Sequence, residues 1–333
     1  MREKSAARVL HPQISLSRST PVRMWLVSAC AALAVVQSAL TDSCSSLGVA
    51  LGAVFAAVLS ETLIWYRTGR PLPVRDGSAV ASALILALLL PNRIHPAYAV
   101  AGAAFAMAVV KHSFGGLGAN WLNPAAAGWL FVRFSWPAAY LRALEEGPGL
   151  TGPYMGADSA AALVRDFLNR GVFSFTGSEL PEGYINLLMS PLNGIIADRG
   201  IGALLLGSVF ICASQVNRVW VPALYLACYG ILIRIFGALP LGGGWGQGDV
   251  LLGFFSGGTM AAAFLLAGDS ATGAKSRPGV FIVSAGTALF SFLFRYPGGE
   301  PYGALLAVLF LNALVPLIRK IESRRFYGKR RGP

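Results

Sequence analysis

VRDGSAVASALILALLLP, residues 74–91, is the stretch on which the fold turns. Beyond Asp76, Gly77 and Ser78 it carries no charge, yet its apolar part, 79–91, falls short of the ~20 residues a helix needs to cross a ~30 Å hydrocarbon core. A counterpart lies far downstream at GFFSGGTMAAAFLLAGD, residues 253–269, which also opens on Gly, Ser or Thr and continues in Ala and Leu. Short, Gly-opened apolar segments are tolerated in lipid only where they are buried in protein or line a cavity. The two stretches therefore predict a paired interior feature of a membrane protein.

Outward from this pair the whole chain reads as membrane-embedded. Of 333 residues 55% are hydrophobic and 13% charged, against about 25% charged in an ordinary soluble domain. Ten apolar runs follow one another: 24–40, 46–66, 79–91, 96–111, 122–140, 200–214, 219–239, 250–268, 279–294 and 301–318. The ~10-residue alternation of a β-barrel is missing, so the expected fold is an all-α polytopic membrane protein of about ten helices. The 39 Gly and 19 Pro, many inside the runs, suit close helix packing and helix breaks. No cleavable signal peptide is read, since the first run begins at Met24 and continues without a small-residue cleavage site. Cys30, Cys44, Cys212 and Cys228 form no C-x-x-C pair and read as small apolar fillers, with an encounter of Cys30 and Cys212 left open.

The net charge of +12 is a matter of topology. Arg2, Lys4, Arg8, Arg18 and Arg23 precede the first run, Arg67, Arg70 and Arg75 follow the second, and Arg319, Lys320, Arg324, Arg325, Lys329, Arg330 and Arg331 end the chain. These segments hold 15 of the 27 basic residues, and with ten spans all three fall on one side. The positive-inside rule makes that side cytoplasmic and argues against nucleic acid as a partner. The expected layout is a basic cytoplasmic segment at 1–23, five helices over 24–140, an extracytoplasmic region at 141–199, five more helices over 200–318 and a basic cytoplasmic tail at 319–333.

A second pair sharpens this layout. SFGGLGANWLNPAAAGWL (113–130) and RYPGGEPYGALLAVLFLNALVPLI (295–318) each place an aromatic near a Gly-Gly pair and then an Asn followed by a Pro, Asn123-Pro124 and Asn312 with Pro316. Two matches at the same ordinal place in each set of five point to a repeat, and because five is odd the sets cross in opposite senses. Candidates for the shared centre are Asp76, Gly77 and Ser78; Lys111, His112, Gly115, Gly116, Asn120 and Asn123; and Ser256, Gly257, Gly258, Thr259 and Asp269. Ionisable and amide groups at membrane depth are costly, so each is a functional candidate. Structural readings stand beside these: helix capping or lipid contact near the cytoplasmic face for Asp76 and Lys111, and helix packing for Gly257-Gly258. Glu61 reads as a local ion pair close to Arg67.

These four stretches, taken in order, carry a resemblance. The chain is similar to the family shared by the D subunit of the Rnf ion-translocating ferredoxin:NAD oxidoreductase and the B subunit of the sodium-translocating NADH:quinone reductase, and most similar to the former. The resemblance implies a ten-helix inner-membrane subunit of a redox-driven sodium or proton pump, other pump subunits as partners, a fold similar to urea transporters, and flavin on the electron path. It also implies FMN esterified through its phosphate to the Thr of a Ser-Gly-Ala-Thr motif in the loop between helices five and six. Here the match is Met155-Gly156-Ala157-Asp158, so Gly156 and Ala157 persist while Asp158 stands in place of the hydroxyl. A carboxyl–phosphate link would be a hydrolysable mixed anhydride, and an ionised Asp158 repels phosphate, which argues against covalent FMN. The alternatives are FMN held non-covalently or attached elsewhere, Thr151 and Thr176 being the nearby hydroxyls, or riboflavin. Asp269-Ser270-Ala271-Thr272 echoes the motif out of context and reads as a decoy.

The leading reading is thus an integral subunit of an ion-translocating electron-transport complex. A stand-alone channel or transporter for a small polar solute fits the repeat alone, and a structural pump subunit without its own covalent flavin fits Asp158.

Overall fold

The computed structural model describes residues 19–41, 44–68, 76–113, 115–116, 120, 122–145, 194–214, 216–269, 272–274 and 276–327. The first part of the chain forms α1 (Thr20–Thr41), α2 (Ser45–Thr68), α3 (Ser78–Leu89), α4 (Pro96–Phe105), α5 (Pro124–Ser135) and α6 (Pro137–Glu145). The second forms α7 (Ile196–Arg199), α8 (Ile201–Ala213), α9 (Trp220–Phe236), α10 (Val250–Phe254), α11 (Thr259–Ala261), α12 (Arg277–Arg295) and α13 (Gly303–Tyr327). Two π-helical turns continue helices, Ala106–Lys111 beyond α4 and Ala262–Leu266 beyond α11. Among the described residues no strand forms, and one isolated antiparallel bridge joins Pro91 to Ile195.

Among the described residues four helices are long and apolar enough to span a bilayer, over Thr20–Thr41, Ser45–Thr68, Arg277–Arg295 and Gly303–Ile321. The 24 residues of α2 rise about 36 Å at 1.5 Å each. Shorter apolar helices lie at Ser78–Leu89, Pro96–Lys111, Ile201–Ala213 and Trp220–Phe236. The chain is therefore a helical membrane protein. Three sequence expectations need correction. The run 122–140 is two helices, because Pro137 has no N–H to donate and clashes with a continuing turn, ending α5 at Ser135. The run 250–268 is broken between α10 and α11, where Gly257 and Gly258 adopt φ of 68° and 69°. The basic tail does not begin as a separate segment at 319, since α13 carries on to Tyr327 with Pro316 inside it.

Helix starts follow local chemistry. Asn123 caps α5 by accepting from the N–H groups of Ala125 and Ala126, with Pro124 at the first helical position, where its missing N–H costs nothing. Ser276 caps α12 in the same way, accepting from Gly279. At the centre lies α3, apolar on every side and buried almost throughout, as an all-round hydrophobic helix must be. It packs against α1, α2 and α5, and the chain re-entering at Gly194 closes over its end: the Ile196 N–H donates to the Leu90 carbonyl at 2.9 Å, with Ile195 and Ile196 fully buried.

Lipid offers helices little hydrophobic reward for associating, so close backbone approach through small residues supplies the packing. The inward faces of α1 and α2 are accordingly Ser28, Ala31, Ala34, Ala50, Ala53 and Ala57, while Leu33, Leu51, Phe55 and Leu63 face outward. The α4–α5 crossing offers a direct test. A Cβ added at Gly128 would sit 2.8 Å from the Gly102 carbonyl oxygen and 3.1 Å from the Ala106 Cβ, whereas one at Gly48 would meet only Pro96 Cγ at 3.5 Å. Gly128→Ala should cost about 1–3 kcal/mol by overpacking, and Gly48→Ala should be neutral or slightly stabilising. Thermal unfolding of the two variants in detergent checks the contrast; equal behaviour would mean that this crossing is not close-packed.

Candidate functional site

The sequence-nominated residues gather at two places. At the first, Gly77 has φ 73° and is the N-cap of α3, and the Asp76 carboxylate accepts from the Ser78 N–H at 2.8 Å. Trp25 of α1 lies against Gly77, where a Cβ would come within 3.0 Å of the indole. Lys111 ends the π turn beyond α4. It is fully buried, donates to Ser78 Oγ at 2.6 Å and forms an ion pair with Glu61 of α2, itself buried. Two expectations change here. Glu61 pairs across helices with Lys111 rather than locally with Arg67, and Lys111 is an interior cation rather than a lipid-facing one. The reason is cost, because a buried carboxylate or ammonium survives only when matched. His112 Nε2 lies 3.5 Å from Glu61 Oε1.

Beyond Lys111 the Gly-Gly pair bends the chain back, with φ of 109° at Gly115 and 94° at Gly116. With its amide nitrogen turned toward them, Asn120 donates to the Lys111 and Gly116 carbonyls at 3.1 and 3.0 Å. Asn123 Nδ2 reaches Asp269 Oδ2 at 3.4 Å, joining the start of α5 to the segment after α11. Thr272 Oγ1 donates to the same Asp269 oxygen at 3.2 Å, so the motif echo at 269–272 closes on itself. Ser78, Lys111, Asn120, Asn123 and Asp269 all line a cavity of about 80 Å³. It adjoins one of about 450 Å³ with which it shares Arg23, Val216, Asn217 and Asp269. The larger volume falls in the ~300–1,000 Å³ range of small-molecule sites.

The second place is the break between α10 and α11. Gly257 and Gly258 point their N–H groups at one carboxylate, Asp198, at 3.0 and 2.8 Å. Arg295, the last residue of α12, donates to the carbonyls of Gly253 and Ser256 at 2.9 Å each, to Ser256 Oγ at 2.6 Å and to the Thr259 hydroxyl at 3.3 Å. A free helix C-terminus and a free helix N-terminus are thus met by a cation and an anion, each of sign opposite to that end of the helix dipole. Gly257-Gly258 is a backbone break whose N–H groups have a dedicated acceptor, in addition to close packing against Pro301 and Leu305. Sequence reasoning gave Asp198 and Arg295 no role; their signal was a charge sitting at the edge of an apolar run.

The two places share a plan. Each short helix is entered through a left-handed Gly, Gly77 or Gly258, followed by a buried hydroxyl, Ser78 or Thr259, that accepts from a cation ending a later helix, Lys111 or Arg295. They lie at opposite ends of α12, because Val280 and Ser284 near its start line the larger cavity while Arg295 at its finish holds the second break, about 22 Å along the axis from Val280. The Asn–Pro match noted in the sequence is not part of this plan, since Asn123-Pro124 starts α5 whereas Asn312 and Pro316 lie within α13. A further tie at the α12–α13 connection was also not foreseen: Arg133 of α5 pairs with Glu300 and lies over the ring of Tyr140, whose hydroxyl accepts from Trp129 Nε1 at 2.9 Å.

The described cysteines are free thiols, so Cys30 and Cys212 form no disulfide, and the Cys30 thiol donates to the carbonyl of Gly207 at 3.5 Å. Gly156, Ala157 and Asp158 lie outside the described residues.

Residues 9–328 match the model of the NQR2, RnfD, RnfE family. The chain is 28% identical to the D subunit of the proton-translocating ferredoxin:NAD(+) oxidoreductase complex of Clostridium ljungdahlii, over 96% of this chain and 95% of that protein. It is 32% identical to the D subunit of the Na(+)-translocating ferredoxin:NAD(+) oxidoreductase complex of Acetobacterium woodii, over 83% and 80%. With the D subunit of the ion-translocating oxidoreductase complex of Shewanella denitrificans it shares 30% identity over 96% and 97%.

The Glu61–Lys111 pair gives a direct test of the first place. Lys111→Met strands a buried carboxylate and should cost about 3–5 kcal/mol; adding Glu61→Gln should recover a large part of that loss. A thermal-stability double-mutant cycle measures it, and strictly additive losses would show that the two groups do not interact.

Proposed function

This chain belongs to the NQR2, RnfD, RnfE family, and from that premise we propose that it is an integral membrane subunit of a redox-driven, ion-translocating electron-transport complex. Its partners are the other subunits of that complex and the lipid bilayer, and the transported ion is Na+ or H+, the two carried by its named relatives. The observation that carries the mechanistic part of this reading is the shared plan of the two helix breaks at opposite ends of α12. That plan supports two inverted five-helix repeats, 24–140 and 200–318, joined through an extracytoplasmic region at 141–199, in the bacterial inner membrane. Both termini are then cytoplasmic, in keeping with the 15 basic residues on one side.

In this reading the chain's own residues hold two half-span helices whose interior ends face opposite sides of the membrane. Each end is pinned by a tethered cation, Lys111 or Arg295, so a charge arriving beside either competes with that cation for its partners. Shifting the pin shifts the helix, which is the bistable element a pump requires. Asp76, Gly77, Ser78, Lys111, Gly115, Gly116, Asn120, Asn123 and Asp269 form the cytoplasmic-side cofactor or ion site, and Ser256, Gly257, Gly258 and Thr259 the opposite one. Flavin, when bound, supplies one- or two-electron chemistry, and this chain holds it without an ester at Asp158.

Assembly and pumping test the proposal together. A tagged chain should copurify with other pump subunits, and vesicles holding the complex should take up Na+ or H+ when the substrate redox couple is supplied. Gly258→Leu, forced into φ 69° with its Cβ 3.0 Å from Ile195, should leave assembly intact and reduce uptake at least tenfold. Purification of the chain alone, with no redox-linked uptake, would sink the reading in favour of a stand-alone transporter. The flavin arm is read on a denaturing gel: in-gel fluorescence migrating with the chain, and lost in Asp158→Ala, would contradict non-covalent binding. Reporter fusions at residue 170 and at the C-terminus should localise oppositely.

A further inference from the structure

Outside both places, a groove of about 700 Å³ runs between the starts of α9 and α12 and is lined by Arg218, Trp220, Leu224, Arg277, Val280 and Phe281. Its chemistry is graded along its length. The two arginines lie at the rim, each just before the apolar part of its helix, and none of the described lining residues is acidic. Below them the walls are apolar, yet Trp220 is 75% exposed and Phe281 56% exposed, so among the described residues these rings are left largely uncovered. Trp220 stands at the boundary of an apolar run, where an indole suits the membrane–water interface. Both helices begin at the same end of the bundle, because Trp220 and Val280 line the same large cavity with Arg23 of α1.

We propose that this groove is a specific site for an anionic phospholipid, its phosphate held between the guanidinium groups of Arg218 and Arg277 and an acyl chain laid along Leu224 and Phe281. Charge complementarity selects the occupant. Two guanidinium groups beside the boundary residue Trp220 offer forked donors that match phosphate oxygens, while the exposed apolar walls suit an acyl chain and no soluble anion. Basic pockets between membrane helices take lipid headgroups by this combination. The site is independent of the two helix breaks and of the ion that the complex carries.

Native mass spectrometry of the purified complex in detergent, titrated with tetraoleoyl cardiolipin or dioleoyl phosphatidylcholine, tests it. Retention of cardiolipin should weaken about five-fold for Arg218→Gln or Arg277→Gln and roughly twenty-five-fold for the double variant. The double Arg→Lys variant should keep most of the binding. Arg67→Gln, at the same end of the bundle on α2, should change nothing, and phosphatidylcholine binding should be unaffected throughout. Added inorganic phosphate should fail to displace the cardiolipin. A photo-crosslinker at Phe281 should label lipid; labelling of another subunit would mean that protein fills the groove and would overturn the proposal. Equal losses in Arg67→Gln, or unchanged cardiolipin binding in the double Gln variant, would overturn it as well.

Discussion

A helix that stops inside a bilayer leaves N–H and C=O groups where no water can reach them, and each unanswered group costs several kcal/mol. Much of this structure is an answer to that constraint. At the second break one carboxylate, Asp198, takes both glycine N–H groups, and one guanidinium, Arg295, takes two carbonyls and three hydroxyl oxygens, those of Tyr229, Ser256 and Thr259. Asp198 comes from the segment that also ties Ile196 to Leu90 at the end of α3. The break in the second half is therefore locked to the short helix of the first, and neither half-span can shift without disturbing the other.

The first break solves the same problem with different chemistry. Asp76 satisfies the Ser78 N–H locally, and Lys111 directs its donors to side chains, Glu61 and Ser78, rather than to carbonyls. Lysine suits that task as a compact point charge, while the planar fork of arginine suits several oxygens held in fixed directions. The two halves thus share a geometry but not a set of interactions. One end is neutralised as a buried ion pair and the other is held mainly by dipoles around a guanidinium, so an incoming ion meets different competition at each.

How much of this was legible in the sequence follows from what each signal encodes. Composition and run length gave the helical membrane class, and the glycine-opened stretches at 74–91 and 253–269 located both breaks, because only glycine takes positive φ without strain and such glycines are rarely idle in lipid. The partners of the breaks were not legible. Glu61 and Lys111 are 50 residues apart, and Asp198 and Gly258 are 60 apart, so no local spacing could pair them. Nearest-neighbour reasoning gave Glu61 to Arg67, which lies within two turns on α2, and tertiary packing overrode it. The Asn–Pro pairs at 123–124 and 312–316 play different local parts, since one starts a helix and the other lies within one.

Magnitudes connect the breaks to transport. Moving a two-state element from 1:99 to 99:1 requires about 5.5 kcal/mol of differential interaction. A unit charge placed about 4 Å from a fixed charge supplies about 4 kcal/mol at an effective dielectric constant of 20, and under 1 kcal/mol beyond ~20 Å. Lys111 and Arg295 are fixed charges inside the bundle, and the larger cavity continues from the one that Lys111 lines. A charge within about 4 Å of Lys111, in the smaller cavity that Lys111 itself lines, would act on it with most of the energy required, while its direct effect on Arg295, at the far end of α12, would be too small to move anything. Coupling between the two ends has to travel through packed structure instead, and the path the contacts provide is short: α3 from Ser78 to Leu90, across to Ile196, and through Asp198 to Gly257 and Gly258.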